Sequence, residues 1–274
     1  MINKSFEFTL GLQHTNYQGA AEHLMMAQIG SCEWDTIAGA VGLPLNNLRT
    51  KNNQEVYASF FFISCEYQDD SLLRKWKLDE KVRVRVVAAS YKNLMLNAQV
   101  VIQGQGSKSA QYQMCNLFIT PGQSNAQLKI APPCNGDFTS LATLNGDDPI
   151  ISIRKKFAET NVLGLFDTKK KAAAQSEHRI VLSIERDTNG AGLVYFANYF
   201  YYLNESLRSH LNIKINQSLP SPIKRKLIFL KNVDPDDTLK ITTRDYGDGK
   251  ILQEIYRIRD NERICYSESL IERT

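Results

Sequence analysis

The same order of elements occurs twice in this 274-residue chain, and that repetition restricts the fold more than any single motif does. In the first half an extended start at 6–12 leads through the polar loop His14-Thr15-Asn16-Tyr17-Gln18-Gly19 into an apolar-periodic stretch over 20–41. Leu24, Ala27, Gln28, Ser31 and Trp34 recur there at helical spacing, with small residues among them, so one helix face can lie close against a sheet. Strands are expected next at 56–65, 81–90, 94–103 and 109–119, with Asn93 at the turn between the second and third. The second half repeats the pattern with a strand at 179–186, the loop Asp187-Thr188-Asn189-Gly190-Ala191-Gly192 and a helix at 193–210. Strands follow at 226–233, 238–246, 250–259 and 262–272, and Asp248-Gly249 is a hairpin signal. Placing Gly11-Leu12-Gln13 on Ser183-Ile184-Glu185, 172 residues apart, brings the two helices into register.

Between the repeats, residues 121–175 change character. Pro132-Pro133, Asn135-Gly136, Asn145-Gly146 and Lys169-Lys170-Lys171 interrupt any long strand pattern, so this stretch reads as a linker with short elements and room for one helix. Apolar residues at 43% and charged residues at 23% are ordinary for a globular chain, and the longest apolar runs fall far short of a bilayer span. The first twelve residues alternate polar and apolar types and do not resemble an export signal, which predicts a cytoplasmic protein. Five cysteines, an odd and scattered set without C-x-x-C spacing, fit reduced thiols rather than zinc or disulfides. The net charge of +4 sits in short runs, Arg154-Lys155-Lys156, Lys169-Lys170-Lys171 and Lys224-Arg225-Lys226. Such runs are ordinary solvated faces and lack the aromatic interleaving of a single-strand binder. No nucleic acid or membrane partner is expected; a phosphate-bearing coenzyme or an acidic carrier protein is the better use for them.

A long central helix wrapped by an antiparallel sheet, occurring twice, is the hotdog arrangement. The expected class is therefore α+β, a tandem double hotdog, with an N-terminal domain at 1–122, a linker at 123–175 and a C-terminal domain at 176–274. Two unrelated α+β domains are the alternative.

The stretch from Asp187 to Tyr199, D-T-N-G-A-G-L-V-Y-F-A-N-Y, resembles the D-x-D-x-A-G-x-V-Y-F-A-N-Y signature of the 4-hydroxybenzoyl-CoA thioesterase branch of the hotdog superfamily. Its glycines let backbone approach a ligand, and the helix that follows presents unpaired N–H groups of the kind that stabilise a thioester oxyanion. The likeness breaks at Asn189, where that branch carries its catalytic carboxylate. An amide is neither general base nor nucleophile, so the resemblance implies ligand binding by Asn189 without hydrolysis. Asp187 is expected to be structural.

In the first half, His14-Thr15, Gly19-Ala20-Ala21-Glu22-His23-Leu24, Gly30, Trp34 and Val56-Tyr57-Ala58-Ser59-Phe60 resemble the double-hotdog bifunctional acyltransferase/decarboxylase of leinamycin biosynthesis and its polyketide relatives. The resemblance implies that methylmalonyl-CoA acylates a tyrosine, loses CO₂, and passes propionyl to the phosphopantetheine thiol of an acyl carrier protein. Tyr57 matches the acyl-accepting position best, with Tyr67 second. Neither a metal nor a bound cofactor is implied. A phenol of pKa near ~10 is a weak nucleophile and needs a cation or donors nearby; His14 is the candidate. The enolate left by decarboxylation needs preorganised donors, expected from the N–H groups of Gly19, Ala20 and Ala21 at the first helix start. Thr15, Asn16 and Gln18 are candidates for orienting the substrate carboxylate. Two other readings stay open: a hotdog thioesterase or dehydratase working through Glu22, Glu205 or Asp187, and a non-catalytic acyl-carrier binding or dimerising module.

Overall fold

A computed structural model describes residues 2–16, 19–68, 72–91, 95–105, 109–120, 122, 124–143, 149–214 and 217–272. The first repeat contains β1 (Ile2–Thr9), α1 (Glu22–Val41), β2 (Tyr57–Tyr67), β3 (Lys81–Tyr91), β4 (Met95–Gln103) and β5 (Ser109–Thr120). A connecting helix, α2 (Pro149–Thr160), precedes the second: β6 (Ala174–Val181), α3 (Phe196–His210), β7 (Pro222–Phe229), β8 (Thr238–Asp245), β9 (Lys250–Arg257) and β10 (Glu262–Ile271). These ten strands join in one sheet in the order β1-β3-β4-β5-β2-β7-β10-β9-β8-β6. Read from its two ends inward, the order is the same for both repeats, so the halves are related by a pseudo-two-fold axis at the β2–β7 seam. That seam is antiparallel, from Lys224 opposite Glu66 to Ile228 opposite Phe62.

Side-chain alternation explains why the sheet forms. Val82, Val84 and Val86 of β3 are fully buried while Arg83 and Arg85 between them face water, as a strand with one covered face requires. The valines join Met25, Met26 and Ile29 of α1 in the main core, which continues across the seam to Phe200 and Leu203 of α3. The two helices approach closely because Gly30 has no side chain: a Cβ there would stand 2.7 Å from the Phe196 ring. Gly30→Ala is accordingly expected to destabilise by ~1–3 kcal/mol through overpacking, despite alanine's better helix propensity, as measured by denaturant unfolding.

The repeat separation of 172 residues holds in three dimensions, since β1 and β6 start and end that far apart. Several boundaries differ from the sequence reading. The extended start is at Ile2–Thr9 rather than 6–12, and β6 ends at Val181 rather than 186. A short helical turn follows each, at Leu12–His14 and Ile184–Asp187. Ala21 and Tyr195 are extended, so the helices begin at Glu22 and Phe196. β7 starts four residues early, at Pro222, where a missing N–H at a first strand position is harmless. The Asp248-Gly249 hairpin is present between β8 and β9, with both residues at positive φ, 50° and 73°. Asn93 lies outside the described residues.

The connecting segment is less of a free linker than its composition suggests. Phe157 of α2 and Leu163 are buried with Phe61, Leu117, Ile119, Ile228 and Tyr266 on the sheet face opposite α1 and α3. Glu268 of β10, fully buried, accepts the N–H groups of Leu163 and Leu165 at 2.8 and 2.6 Å and the Tyr266 hydroxyl at 2.8 Å. That carboxylate fastens the segment across the second repeat.

Candidate active site between the two repeats

The pseudo-two-fold axis creates two equivalent places where the loop before one repeat's helix meets the opening of the other repeat's second strand. They have diverged. The first is a cavity of about 980 Å³ whose lining includes Trp34, Asp35 and Ala38 of α1, Tyr57 at the start of β2, and Asn189, Gly190, Ala191 and Leu193 from the loop before α3. The second measures about 160 Å³ and is lined by Asn16, Ala20, Ala21, Asn204, Glu205 and Pro222, among others. Pro222 opens β7 as Tyr57 opens β2, so the smaller cavity carries no phenol at the equivalent point.

In the larger cavity Tyr57 is half-buried, its ring against the cluster of Phe61, Leu117, Ile119 and Leu193. Its hydroxyl donates a short hydrogen bond to Glu55 Oε2, and Arg49 Nη2 stands 3.8 Å from the other oxygen of that carboxylate. The bond to Glu55, with a smaller contribution from burial, raises the phenol's pKa. Tyr57 is thus a neutral phenol at rest, and the Glu55 carboxylate that accepts its hydrogen bond is placed to take its proton.

Opposite it, the Asn189 side-chain oxygen accepts the N–H groups of Ala191 and Leu193 at 3.0 and 3.1 Å. The Gly192 N–H bonds the Asn189 carbonyl at 2.9 Å, and Gly192 takes a φ of 72° that glycine adopts without strain. These bonds curl the loop into a fixed turn. Gly190, exposed, keeps an N–H with no protein acceptor among the described residues, and so does the Asn189 side-chain amide. Asp187 supports the loop from beneath: it accepts bonds from the Ser183 N–H, the Arg186 guanidinium and, at 2.6 Å, the Tyr202 hydroxyl. Burial alone would push its pKa up, but those donors outweigh it and hold the carboxylate below its ordinary value. The expected structural role of Asp187 agrees with these contacts.

The structure brings Tyr57 and Asn189 to one cavity, and it places the other sequence candidates elsewhere. His14 is buried against Phe8, with Nδ1 accepting the Gly11 N–H at 3.1 Å, so it closes a turn. Thr15 bonds the Gly11 carbonyl at 3.3 Å. Gly19 and Ala20 pair with Asn16 and Thr15 in a short antiparallel ladder. The Ala21 N–H is taken by the His14 carbonyl at 2.9 Å and is not a free donor. Asn16, Ala20 and Ala21 line the small cavity, not the one holding Tyr57. Gln18 lies outside the described residues. The grouping of Tyr57 with His14 and the start of α1 is therefore corrected: a hotdog pair sets each helix start against the partner repeat's strand, so the loop facing Tyr57 comes from the second repeat. Glu55 and Arg49 were missed, although Glu55 sits only two residues before Tyr57.

Glu22, in the wall of the small cavity, belongs to a buried ion pair. Arg225 of β7, fully buried, donates to Glu22 Oε2 at 2.6 Å, to Ser269 at 3.0 Å and to Asn204 at 3.0 Å. Tyr67, second choice as acyl acceptor, donates to Glu22 Oε1 at 3.1 Å, and its burial raises its pKa well above that of an ordinary phenol. Removing one partner strands the other charge, so Arg225→Met is expected to cost about 3 kcal/mol, most of it recovered in the Glu22→Leu/Arg225→Met double variant, read by denaturant unfolding.

Another buried carboxyl stands on α1 beside Trp34. Glu33 is fully buried, accepts the Asn116 side-chain N–H at 2.7 Å through Oε1, and has no partner for Oε2. Desolvation pushes its pKa up to about 8, against a smaller lowering by Asn116, so it is a neutral acid under ordinary conditions. Among the described residues no three His, Cys, Asp or Glu side chains converge as a metal site, and no helix is long and apolar enough to cross a membrane.

Comparison with known proteins agrees with this architecture. No protein-family profile matches the sequence, and no curated protein matches it. Solved structures do. An acyl-ACP thioesterase from Bacteroides thetaiotaomicron superposes with a TM-score of 0.67 at 10% identity, over 98% of both chains. A Lactobacillus plantarum protein assigned as an oleoyl thioesterase gives 0.71 at 11% identity over 98% of this chain and 95% of its own. The 12:0-ACP thioesterase of Umbellularia californica gives 0.63 at 10% identity over 98% and 97%. The chain has the hotdog fold in its tandem, α+β form. At these identities the likeness establishes fold and leaves the chemistry to the site.

Proposed function

We propose that this protein is an acyltransferase and decarboxylase: it takes methylmalonyl-CoA, carries the acyl group on Tyr57, releases CO₂, and transfers propionyl to the phosphopantetheine thiol of an acyl carrier protein. The observation that carries the reading is the Tyr57–Glu55 pair facing the Asn189–Leu193 turn across one cavity. The Tyr57 oxygen attacks the thioester carbonyl as its proton passes to Glu55; the thiolate leaves and takes that proton. The bond from Cα to the carboxylate then breaks, CO₂ departs, and the electron pair becomes an enolate whose oxygen rests on the Gly190 N–H and the Asn189 amide. Water protonates the enolate at carbon. The carrier's thiol attacks the propionyl ester and gives its proton to the departing phenolate.

Thioester hydrolysis is the second reading, and the fold likeness is what favours it. The carboxylates it would use are engaged: Glu22 by Arg225, Asp187 by Arg186 and Tyr202, while Glu205 sits at the small cavity with Arg208 at 3.9 Å. Incubation of the pure protein with methylmalonyl-CoA, with and without a carrier protein, separates the two by mass spectrometry. Propionyl-CoA or propionyl carrier is expected; free methylmalonate and CoA without CO₂ would instead make it a thioesterase.

A further inference from the structure

A third cavity, of about 540 Å³, lies beside the site and has no role in the chemistry above. Its walls include Phe61, Leu128, Phe157 and Phe229, from β2, the connecting segment, α2 and β7. It is next to the proposed centre by chain and by packing. Ser59 follows Tyr57 by two residues and Val194 follows Leu193, and both line this cavity. Tyr57 and Leu193 pack in the same apolar cluster as Phe61, Leu117 and Phe157, which form part of its wall. The connecting segment is tied to the motif turn here, since the Asn125 side chain donates to the Gly192 carbonyl at 2.7 Å.

Charge distinguishes the two cavities. Around Tyr57 the lining carries Asp35 and Glu55, and Arg49 there is already beside Glu55. That environment repels phosphate. The third cavity carries Arg154, Lys231 and Arg263. Arg263 is committed to Glu254 and Asn161, at 2.7 Å each. Arg154 and Lys231 are exposed and have no anionic partner among the described residues, and Arg154 lies over the Phe61 ring at 5.9 Å. Lys155 and Lys156 continue the positive run, also exposed. An apolar, aromatic cavity with two unneutralised cations suits a ligand that is aromatic and polyanionic at once, and its volume is in the range of small-molecule sites.

Resting on the proposed function, we infer that this cavity receives the phosphoadenosine diphosphate end of coenzyme A, its phosphates on Arg154 and Lys231 and its adenine against the aromatic wall, while the pantetheine arm leads past Leu193 to Tyr57. The cavity is thereby a nucleotide subsite at the opposite side of the motif turn from the reacting carbonyl.

Calorimetric titration of the full-length protein with coenzyme A, dephospho-coenzyme A and pantetheine tests this. The wild type is expected to bind coenzyme A more tightly than either truncated ligand, with an affinity that falls as salt is raised. Arg154→Glu/Lys231→Glu should weaken coenzyme A at least tenfold and leave pantetheine unchanged. Both residues are at the surface, and far-ultraviolet dichroism confirms that the variant is folded. Coenzyme A binding that is absent in the wild type, equal to that of pantetheine, or indifferent to the double charge reversal overturns the assignment. The readout needs no turnover: a salt-sensitive coenzyme A site lost in the variant upholds the subsite even where methylmalonyl-CoA is not decarboxylated, and turnover with an unaffected affinity upholds the function alone.

Discussion

Tyr57→Phe is expected to abolish formation of the acyl-enzyme and, with it, propionyl transfer to a carrier protein. The variant loses one hydroxyl at a half-buried position, so the ring's contacts with Phe61 and Leu193 and the stability of the fold are preserved. Turnover should fall by at least ~10³-fold, as expected when a covalent nucleophile is removed and no neighbouring group takes its place. Intact mass after exposure to methylmalonyl-CoA reads the result directly: an adduct on the wild type and none on the variant. Glu55→Gln is the companion. It keeps a hydrogen-bond partner for the phenol but cannot accept its proton, so kcat should drop while coenzyme A affinity holds, and the pKa of Tyr57 should come down once the carboxylate that raises it is gone. An adduct that survives Tyr57→Phe would place the nucleophile elsewhere.

The second large effect concerns stability and pH. Glu33 is held near a pKa of about 8 in the folded protein, against an ordinary value of 4.5. Because the folded state keeps the proton that the unfolded state gives up, the contribution is fully present below pH 4.5 and is lost progressively as pH rises to about 8. At 1.36 kcal/mol per pH unit the change across that window amounts to roughly 4–5 kcal/mol. Glu33→Gln cannot ionise, so it should flatten that dependence and exceed the wild type in stability above pH 8, where the acid is charged in a site with one donor. Urea unfolding at a series of pH values measures both slopes. Parallel wild-type and variant curves would show that Glu33 finds a second partner on ionisation.

The chain's periodicity and repeats made much of the fold legible. Period-two alternation in β3 and the 172-residue separation of matching elements are local properties, and both persist in the folded chain. What composition concealed was tertiary. The connecting segment reads as breaker-rich, yet Phe157 and Leu163 find an apolar sheet face and Glu268 collects two of its N–H groups. Nothing within 123–175 announces an acceptor on β10. The site was half legible for the same reason. Tyr57 and Asn189 were both visible as motif residues, but pairing Tyr57 with His14, Gly19 and Ala20 followed chain order, whereas the pseudo-two-fold axis crosses the repeats. Glu55 could have been found from its place two residues before Tyr57, and Trp34 was already among the motif residues; Asp35, well inside α1, carries no local signal that sets it beside the start of β2.

The two equivalent cavities have diverged in a way that fits a single centre, as proposed. At the mate of the Tyr57 site, Pro222 opens the strand, the cavity is smaller, and Glu22 in its wall is held by the buried Arg225. Asn189 stands where the thioesterase signature it resembles carries a carboxylate, and the turn it braces leaves the Gly190 N–H without a protein acceptor among the described residues.

A crystal structure with a non-reactive thioether analogue of methylmalonyl-CoA tests the inter-repeat centre most directly. The account predicts the carbonyl between the Tyr57 hydroxyl and the Gly190 N–H, within hydrogen-bonding reach of both. An analogue seated instead among Ala20, Asn204 and Pro222, with Tyr57 beyond contact, would contradict it.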